Sequence, residues 1–256
     1  TLYDDAYSLS LQPDGKIWVV GSINDPQSGT DDIALLRYMP NGAIDTSLQG
    51  TGVVVTDFGA NDYGYSLAAQ PDGKVVVVGE TVNSSGSDFA IARYNSDGTL
   101  DAGFGGGDGK TTVNFKKFDY GSRVLIQPDS KILVAGYSSS NAQNYTDFTL
   151  ARYTTDGTPD ITFGTGGKVS TPLGISENAK VDIALLPNGK IVAVGTIDDD
   201  ISILRYNSDG TLDQGFGGGN GRVSTDFGGN DIGSGLAIQS DSKLVAVGST
   251  GSGDFA

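Results

Sequence analysis

The chain has 256 residues, of which 39 are glycine, about twice the ordinary share. It contains neither histidine nor cysteine, which excludes Ser-His-Asp catalysis, disulfides and zinc sites built on those residues. The formal net charge of −15 disfavours nucleic acid and anionic lipid as partners, because both are bound through Lys and Arg. No apolar run is long enough for a membrane helix, so we expect no membrane insertion.

Similar segments follow one another along the whole chain. Each contains a first strand, a turn such as Pro71-Asp72-Gly73, a lysine, and an apolar run that ends in glycine. The closing glycines are Gly21, Gly79, Gly136, Gly195 and Gly248, spaced by 58, 57, 59 and 53 residues. We expect repeats at residues 4–61, 62–118, 119–177, 178–230 and 231–256, and the last of these is about half a repeat. Together they predict a single propeller domain, or a fragment of one.

The second repeat shows what one repeat builds. Short apolar or alternating runs predict strands at 65–70, 74–79, 88–94 and 111–115, separated by turn residues. No segment carries a helical period, and the run VVVVG is apolar throughout, as in a strand covered on both faces. Four antiparallel strands recurring every 50–60 residues predict an all-β fold, a β-propeller of four-stranded blades.

The composite motif DGKI/V-x-V-x-G, D-F-A-x-A-R-Y-N-x-D-G-x-L-D and F-G-x-G-G-K closely resembles the delta-60 repeat family of bacteria. The resemblance implies a β-propeller and an exported or surface-associated bacterial protein, and it brings no catalytic residue. The sequence departs from the motif at Leu48-Gln49, which replaces Phe104-Gly105, and at Pro172-Leu173, which replaces Asp57-Phe58.

The two ends of the chain also bear on its context. Its first residues predict no signal peptide, and it stops at Asp254-Phe255-Ala256, where we expect a third strand to be starting. We therefore expect a fragment of a longer extracellular or cell-surface protein, with further repeats of the same chain among its partners.

An aspartate and an arginine recur five residues apart in four repeats. An odd separation places two side chains on opposite faces of a strand, which favours contacts between neighbouring blades. We interpret these residues as buried structural staples, with a ring of ligand-binding charges as the alternative. The pairs are Asp32/Arg37, Asp88/Arg93, Asp147/Arg152 and Asp200/Arg205.

The loop Asn95-x-Asp97-Gly98-x-x-Asp101 and its copies are rich in oxygen ligands and glycine. Such loops suit calcium, so Asp97 and Asp101 are calcium candidates, and no other cofactor is expected. The Asn-x-Asp-Gly core is also an ordinary hairpin signal, and the EF-hand spacing is absent. Both interpretations stay open at this point.

Functional residues in a repeat protein are best sought where the repeats differ. At one first-strand position the repeats carry Ser8, Ser66, Arg123, Asp182 and Gly235, and Arg123 and Asp182 are candidates to orient a polar ligand at a central channel. The segments between second and third strands also diverge. Tyr137, Asn144 and Tyr145 lie in a Tyr/Ser/Asn-rich stretch typical of adaptable binding loops.

Three functions are compatible with these features. The leading hypothesis is a non-enzymatic secreted or surface module that binds a glycan or a protein. The second is a carboxylate-dependent glycoside hydrolase, which needs two carboxylates about 5–10 Å apart. Of the acids, Glu80, Glu177 and Asp182 have no equivalent in other repeats, which is too few to identify a pair. The third is a purely structural spacer in a large adhesin.

Overall fold

The computed structural model describes residues 4–25, 29–140, 146–175 and 181–256. Within these ranges the chain is all β, with eighteen strands and no helix that could cross a bilayer. The strands are β1 Asp5–Leu11, β2 Ile17–Asn24, β3 Asp31–Tyr38, β4 Val53–Thr56, β5 Asn61–Ala69, β6 Val75–Asn83, β7 Gly86–Tyr94, β8 Lys110–Val113, β9 Phe118–Ile126, β10 Ile132–Ser139, β11 Thr146–Tyr153, β12 Lys168–Ile175, β13 Asp182–Leu185, β14 Ile191–Ile197, β15 Asp200–Tyr206, β16 Arg222–Thr225, β17 Ile232–Ile238 and β18 Leu244–Ser249.

The chain divides into two compact units, and the division falls within β10. The first unit comprises Thr1–Val134 and Tyr153–Thr158, and the second comprises Ala135–Arg152 and Pro159–Ala256.

The first unit contains two complete antiparallel sheets in chain order, β1-β2-β3-β4 and β5-β6-β7-β8. One parallel bridge, between Ser87 and Phe118, joins β7 to β9. The hairpins close where glycine supplies a positive φ: Gly73 has φ +84°, and its N–H donates to the Gln70 carbonyl at 3.0 Å. Repeated turns of this kind explain why the strands pair with their sequence neighbours.

The second unit repeats the same construction. The strand β11 pairs with β12, the strands β13-β14-β15-β16 form a four-stranded antiparallel sheet, and β17 pairs with β18. The prediction of an all-β chain built from four-stranded antiparallel sheets is therefore confirmed.

Several strands are longer than the sequence predicted. The strand β6 continues past Gly79 to Asn83 and β7 begins at Gly86, so the segment expected as a variable loop is a tight hairpin. Glu80 consequently lies in a strand. Tyr137, also expected in a loop, lies in β10. The β6–β7 register continues from Glu80↔Phe89 to Asn83↔Gly86, which a composition rich in Ser and Gly concealed.

The core consists of the apolar runs. All four valines of Val75–Val78 are fully buried in the first unit, and so are Ile191–Val194 in the second. The glycine that ends the apolar run of β6 is required for steric reasons. A Cβ on Gly79 would lie 1.7 Å from the Tyr63 carbonyl oxygen at a bulge of β5. In contrast, Leu9 of β1 is 67% exposed, whereas Leu67 at the equivalent place is 6% exposed.

Candidate functional site

The residues predicted to bind a ligand fall in different parts of the chain. Arg123 lies half-buried in β9 of the first unit, while Tyr137 and Asp182 belong to the second. The Asp182 carboxylate accepts backbone N–H bonds from Ile183 at 3.0 Å and from Leu236 at 2.9 Å. This side chain therefore holds β13 to β17, which is a structural contact. Tyr145 and Asn144 lie outside the described residues.

The recurrent arginines have a different carboxylate partner from the one that the sequence predicted. Arg93 donates from Nε to Oδ2 of Asp101 at 2.7 Å, and Lys74 donates to the same oxygen at 2.8 Å. A second guanidinium nitrogen of Arg93 donates to the Thr155 carbonyl in the turn of the next repeat, and the guanidinium lies 4.7 Å from the Phe104 ring centroid. One buried arginine thus joins two repeats.

The same arrangement recurs along the chain, with the aspartate eight residues after the arginine as its partner. The pairs are Arg37–Asp45, Arg93–Asp101, Arg152–Asp160 and Arg205–Asp213. The aspartates five residues before the arginines bond elsewhere: Asp32 accepts from Thr30, Asp88 accepts from Asn114 and Asp147 from Ser170, while Asp200 stands beside Asp226. The sequence placed each aspartate and arginine on opposite faces and favoured contacts with neighbouring blades, whereas the ion pairs of these four arginines form with an aspartate of their own repeat.

The carboxylates of the two calcium candidates, Asp97 and Asp101, already accept hydrogen bonds from other groups of the protein. Burial disfavours the charged form of Asp101, but hydrogen bonds from Lys74, the Gly103 backbone and Arg93 outweigh it and lower its pKa to about 2. The Asp97 Oδ1 accepts from the Thr99 hydroxyl at 2.6 Å and from the Thr99 N–H at 2.9 Å, which lowers the pKa of Asp97. At Asp101 the Lys74 ammonium already supplies a positive charge to the carboxylate, bonding to its Oδ2 at 2.8 Å.

Three tyrosines of β1 and β5 and one buried glutamate of β6 form a cluster in the first unit, which we call the tyrosine cluster: Tyr7, Tyr63, Tyr65 and Glu80. The Tyr7 ring meets Tyr65 edge-on with centroids 5.1 Å apart, and Tyr63 stacks parallel to Tyr65 at 6.2 Å. Tyr7 is 46% exposed, so the cluster reaches the surface. The Tyr63 hydroxyl donates to Asp31 at 2.9 Å.

Glu80 is the buried carboxylate of the tyrosine cluster. Its Oε1 accepts from the Tyr65 hydroxyl at 2.6 Å, and its Oε2 is buried without a hydrogen-bond partner among the described residues. Burial raises the pKa of Glu80 to about 7, against smaller lowering effects of Tyr65 and Ser87. Burial and the Glu80 charge in turn raise the pKa of Tyr65. A strongly perturbed carboxyl beside exposed rings is typical of functional sites.

A second cluster, the aspartate triad Asp32, Asp57 and Asp62, was not found from the sequence. One carboxylate oxygen of each lies within 4.8 Å of the others. Burial, with repulsion from the other two carboxylates, raises the pKa of Asp62 to about 6. Hydrogen bonding by the Thr81 side chain and the Phe58 backbone opposes this rise. The available signal was the recurrence of Asp-Phe-Gly-x-Asn-Asp at 57–62 and 226–231.

A family described as "Domain of unknown function (DUF5122) beta-propeller" matches four segments of the sequence: residues 12–48, 70–104, 127–163 and 186–216. These segments cover more than half of the chain and fall once in each of the first four repeats. The chain belongs to this family. The DUF5122 segments begin just before the repeated Asp-Gly turns and extend past the buried arginine and its aspartate, so the family pattern coincides with the structural staple.

No curated protein matches the sequence significantly. Among solved structures, the chain is similar to the α-L-arabinofuranosidase Arb93A of Fusarium graminearum, with 13% identity, a TM-score of 0.50, and 96% of this chain and 80% of that chain covered. A gluconolactonase of Xanthomonas campestris gives 10% identity and a TM-score of 0.49, with 98% and 74% covered. At such low identity the likeness concerns the fold alone.

Proposed function

We propose that this DUF5122 chain is a non-enzymatic module that binds a neutral glycan at the tyrosine cluster. The observation that carries the proposal is the exposure of Tyr7 beside the rings of Tyr63 and Tyr65. Tyrosine offers an apolar face and a polar tip, which together match a sugar ring with its C–H face and hydroxyl rim. The net charge of −15 disfavours an anionic polymer.

The site requires little reorganisation before a ligand binds. Tyr63 is anchored to Asp31 and Tyr65 to Glu80, so two of the three rings are already held by short hydrogen bonds. A preformed aromatic surface loses less side-chain entropy on binding than a flexible loop does. The proposal therefore moves the binding residues from the predicted loops to the first strands. The delta-60 resemblance supports an extracellular or cell-surface setting, which we propose for the module.

A glycan array followed by titration calorimetry tests this proposal. Tyr7→Ala and Tyr63→Ala should each weaken binding of the array hit about tenfold, since a lost aromatic contact corresponds to about 1.4 kcal/mol. The matched control is Val55→Ala, because Val55 is 47% exposed and lies in β4 at the opposite edge of the first sheet. Unchanged affinity in both folded tyrosine variants would refute the assignment.

A glycoside hydrolase is the second candidate, favoured by the raised pKa of Glu80. A carboxyl that is protonated near pH 7 is the type of group that serves as a general acid. The discriminating variant is Glu80→Gln. If the chain is a binding module, this variant keeps glycan affinity and the wild type releases no reducing sugar. Hydrolysis by the wild type that Glu80→Gln abolishes would establish the enzyme instead.

A further inference from the structure

The aspartate triad brings three carboxylates together from two successive repeats. Asp32 lies in β3 of the first repeat, Asp57 directly follows β4, and Asp62 lies in β5 of the next repeat. One oxygen of each is within 4.8 Å of the others. Two oxygens on opposite sides of a bound calcium ion are about 4.6–5.2 Å apart, so all three can reach one ion.

A buried oxygen without a partner points to a ligand at this place. Asp62 is fully buried, and its Oδ2 accepts the Phe58 N–H at 2.5 Å. The Thr81 side chain lies near enough to favour the charged form of Asp62, but no hydrogen bond of ordinary geometry reaches Oδ1 among the residues that the structure describes. A buried carboxylate oxygen left in this state is costly unless a cation or water satisfies it. The Lys110 ammonium bonds to the Asp57 carbonyl oxygen.

The next repeat shows how the same junction is built without an ion. Asn114 stands at the position of Asp57, and its Nδ2 donates to Asp88 Oδ1 at 2.7 Å. Asp119, at the position of Asp62, accepts N–H bonds from Phe115 at 2.7 Å and from Lys116 at 3.1 Å. The amide thus replaces a carboxylate–carboxylate contact by a hydrogen bond. Among the described residues, no amide side chain bonds to a carboxylate of the Asp57 junction in this way.

We propose that the aspartate triad Asp32–Asp57–Asp62 binds one calcium ion that joins the first repeat to the second. Calcium takes six to eight oxygen ligands in flexible geometry, so water and backbone oxygens complete the shell. The ion would fix the start of β5, where the Oδ1 of Asn61 accepts the Asp31 N–H at 3.2 Å.

A copy, Asp200, Asp226 and Asp231, lies at the junction of the fourth and fifth repeats, and it serves as the matched comparison. There both oxygens of Asp231 already accept backbone N–H bonds, from Phe227 at 2.6 Å and from Gly251 at 3.3 Å. Burial and the neighbouring aspartates raise the pKa of Asp200, and the positive charge of Arg222 opposes part of the rise. This copy lacks the unpartnered oxygen and is not part of the proposal.

Calorimetric titration of the chelator-treated chain with calcium chloride tests the proposal. The wild type should bind calcium with a Kd of about 10⁻⁴–10⁻³ M, in the range of extracellular modules. Asp57→Asn should remove one equivalent of binding, while its thermal unfolding in chelator stays within about 2 °C of the wild type because the amide reproduces the Asn114 arrangement. Asp226→Asn, the same substitution in the copy, should retain that equivalent.

Three results would overturn the proposal. One is an absence of calcium binding by the folded wild type up to 10 mM, about ten times the upper limit expected for Kd. Another is unchanged stoichiometry in Asp57→Asn. The third is equal affinity for magnesium, which demands shorter bonds and a stricter octahedral shell. Circular dichroism of each variant before titration establishes that the sheets are intact. Asp62→Asn is a second, independent variant that should lose the same equivalent of bound calcium.

Discussion

The guanidinium of Arg37 lies 4.9 Å from the centroid of the Trp18 ring, whereas the later arginines lie over a phenylalanine. Those rings are Phe104, Phe163 and Phe216, at 4.5–4.7 Å. The first repeat has the buried Leu48 at the position of Phe104, and Trp18 of β2, paired with Arg37 in the β2–β3 register, supplies the ring instead. Trp18 and Leu48 therefore compensate each other: the ring that Leu48 lacks at the position of Phe104 is supplied by Trp18.

This compensation predicts a coupled pair of substitutions. Trp18→Val should lower the free energy of unfolding by about 3–5 kcal/mol, because it leaves a cavity and removes the ring under Arg37. Adding Leu48→Phe should restore part of that loss, since it recreates the Phe104 arrangement. Urea unfolding of the two single variants and the double variant gives the coupling, expected at about 0.5–3 kcal/mol.

The control for the pair is Leu48→Phe alone. In the wild-type background it should cost about 1–3 kcal/mol, because Leu48 is fully buried and the tryptophan already fills the space. Strictly additive losses in the double variant would contradict the idea that the two sites share one role.

The buried arginines should differ in their contribution to stability according to what they join. Arg93 is 5% exposed and bonds to the turn of the next repeat through the Thr155 carbonyl. Arg205 has a side chain 24% exposed and bonds to Asp213 and Gly215 of its own repeat. Arg93→Ala should therefore lower the free energy of unfolding by about 3 kcal/mol, at the lower end for removing one partner of a buried ion pair, because Lys74 still bonds to Asp101.

Arg205→Ala is the natural control for that measurement. It removes the same side chain where the arginine itself is partly exposed, 24% against 7% for Arg93, so its effect on the melting temperature should be less than half that of Arg93→Ala. Equal losses would show that the bond to the next repeat contributes nothing, and the staple would then act only within one repeat.

The repeats, the all-β class and the four-stranded sheets could be predicted from sequence because turn residues and apolar runs recur at fixed spacing. The role of Arg93 could be inferred, but its partner could not: Asp101 lies beyond a turn, and only the folded hairpin brings it back to the arginine. Glu80 was recognised as unmatched, yet its burial depends on β6 extending past Gly79. The recurrent Asp-Phe-Gly-x-Asn-Asp marks Asp57 and Asp62, but their proximity to Asp32 of β3 depends on strand pairing across two repeats, which no local pattern reveals.

Acid should destabilise the chain through Asp101. Its pKa is about 2 in the folded state, below the ordinary value of 3.8, so the folded state binds fewer protons than the unfolded state between these values. The stabilisation is present above about pH 4 and is lost as the pH falls toward 2. Asp101→Asn should be less stable at pH 6, and the difference from wild type should shrink by pH 2 in denaturant titrations.

Glu80 should have the opposite pH dependence. Its folded pKa of about 7 exceeds the ordinary value of 4.5, so between these values the folded state binds more protons than the unfolded state. Stability attributable to this group therefore falls as the pH rises from about 4.5 to about 7, and is constant above. Glu80→Gln cannot ionise, so its stability relative to wild type should increase across this window by about 3 kcal/mol.

Tyr65→Phe separates this ionisation from a general loss of packing. Removing the hydroxyl that donates to Glu80 at 2.6 Å takes away a contact that favours the charged carboxylate, so the fall in stability should extend above pH 7. The comparison needs urea unfolding at pH 4.5, 6, 7 and 8 for the wild type and both variants, with the aspartate triad unchanged in all three. Parallel stability profiles for wild type and Glu80→Gln would mean that Glu80 is already ionised in the folded chain, and its assignment as a protonated group beneath the tyrosine cluster would be wrong.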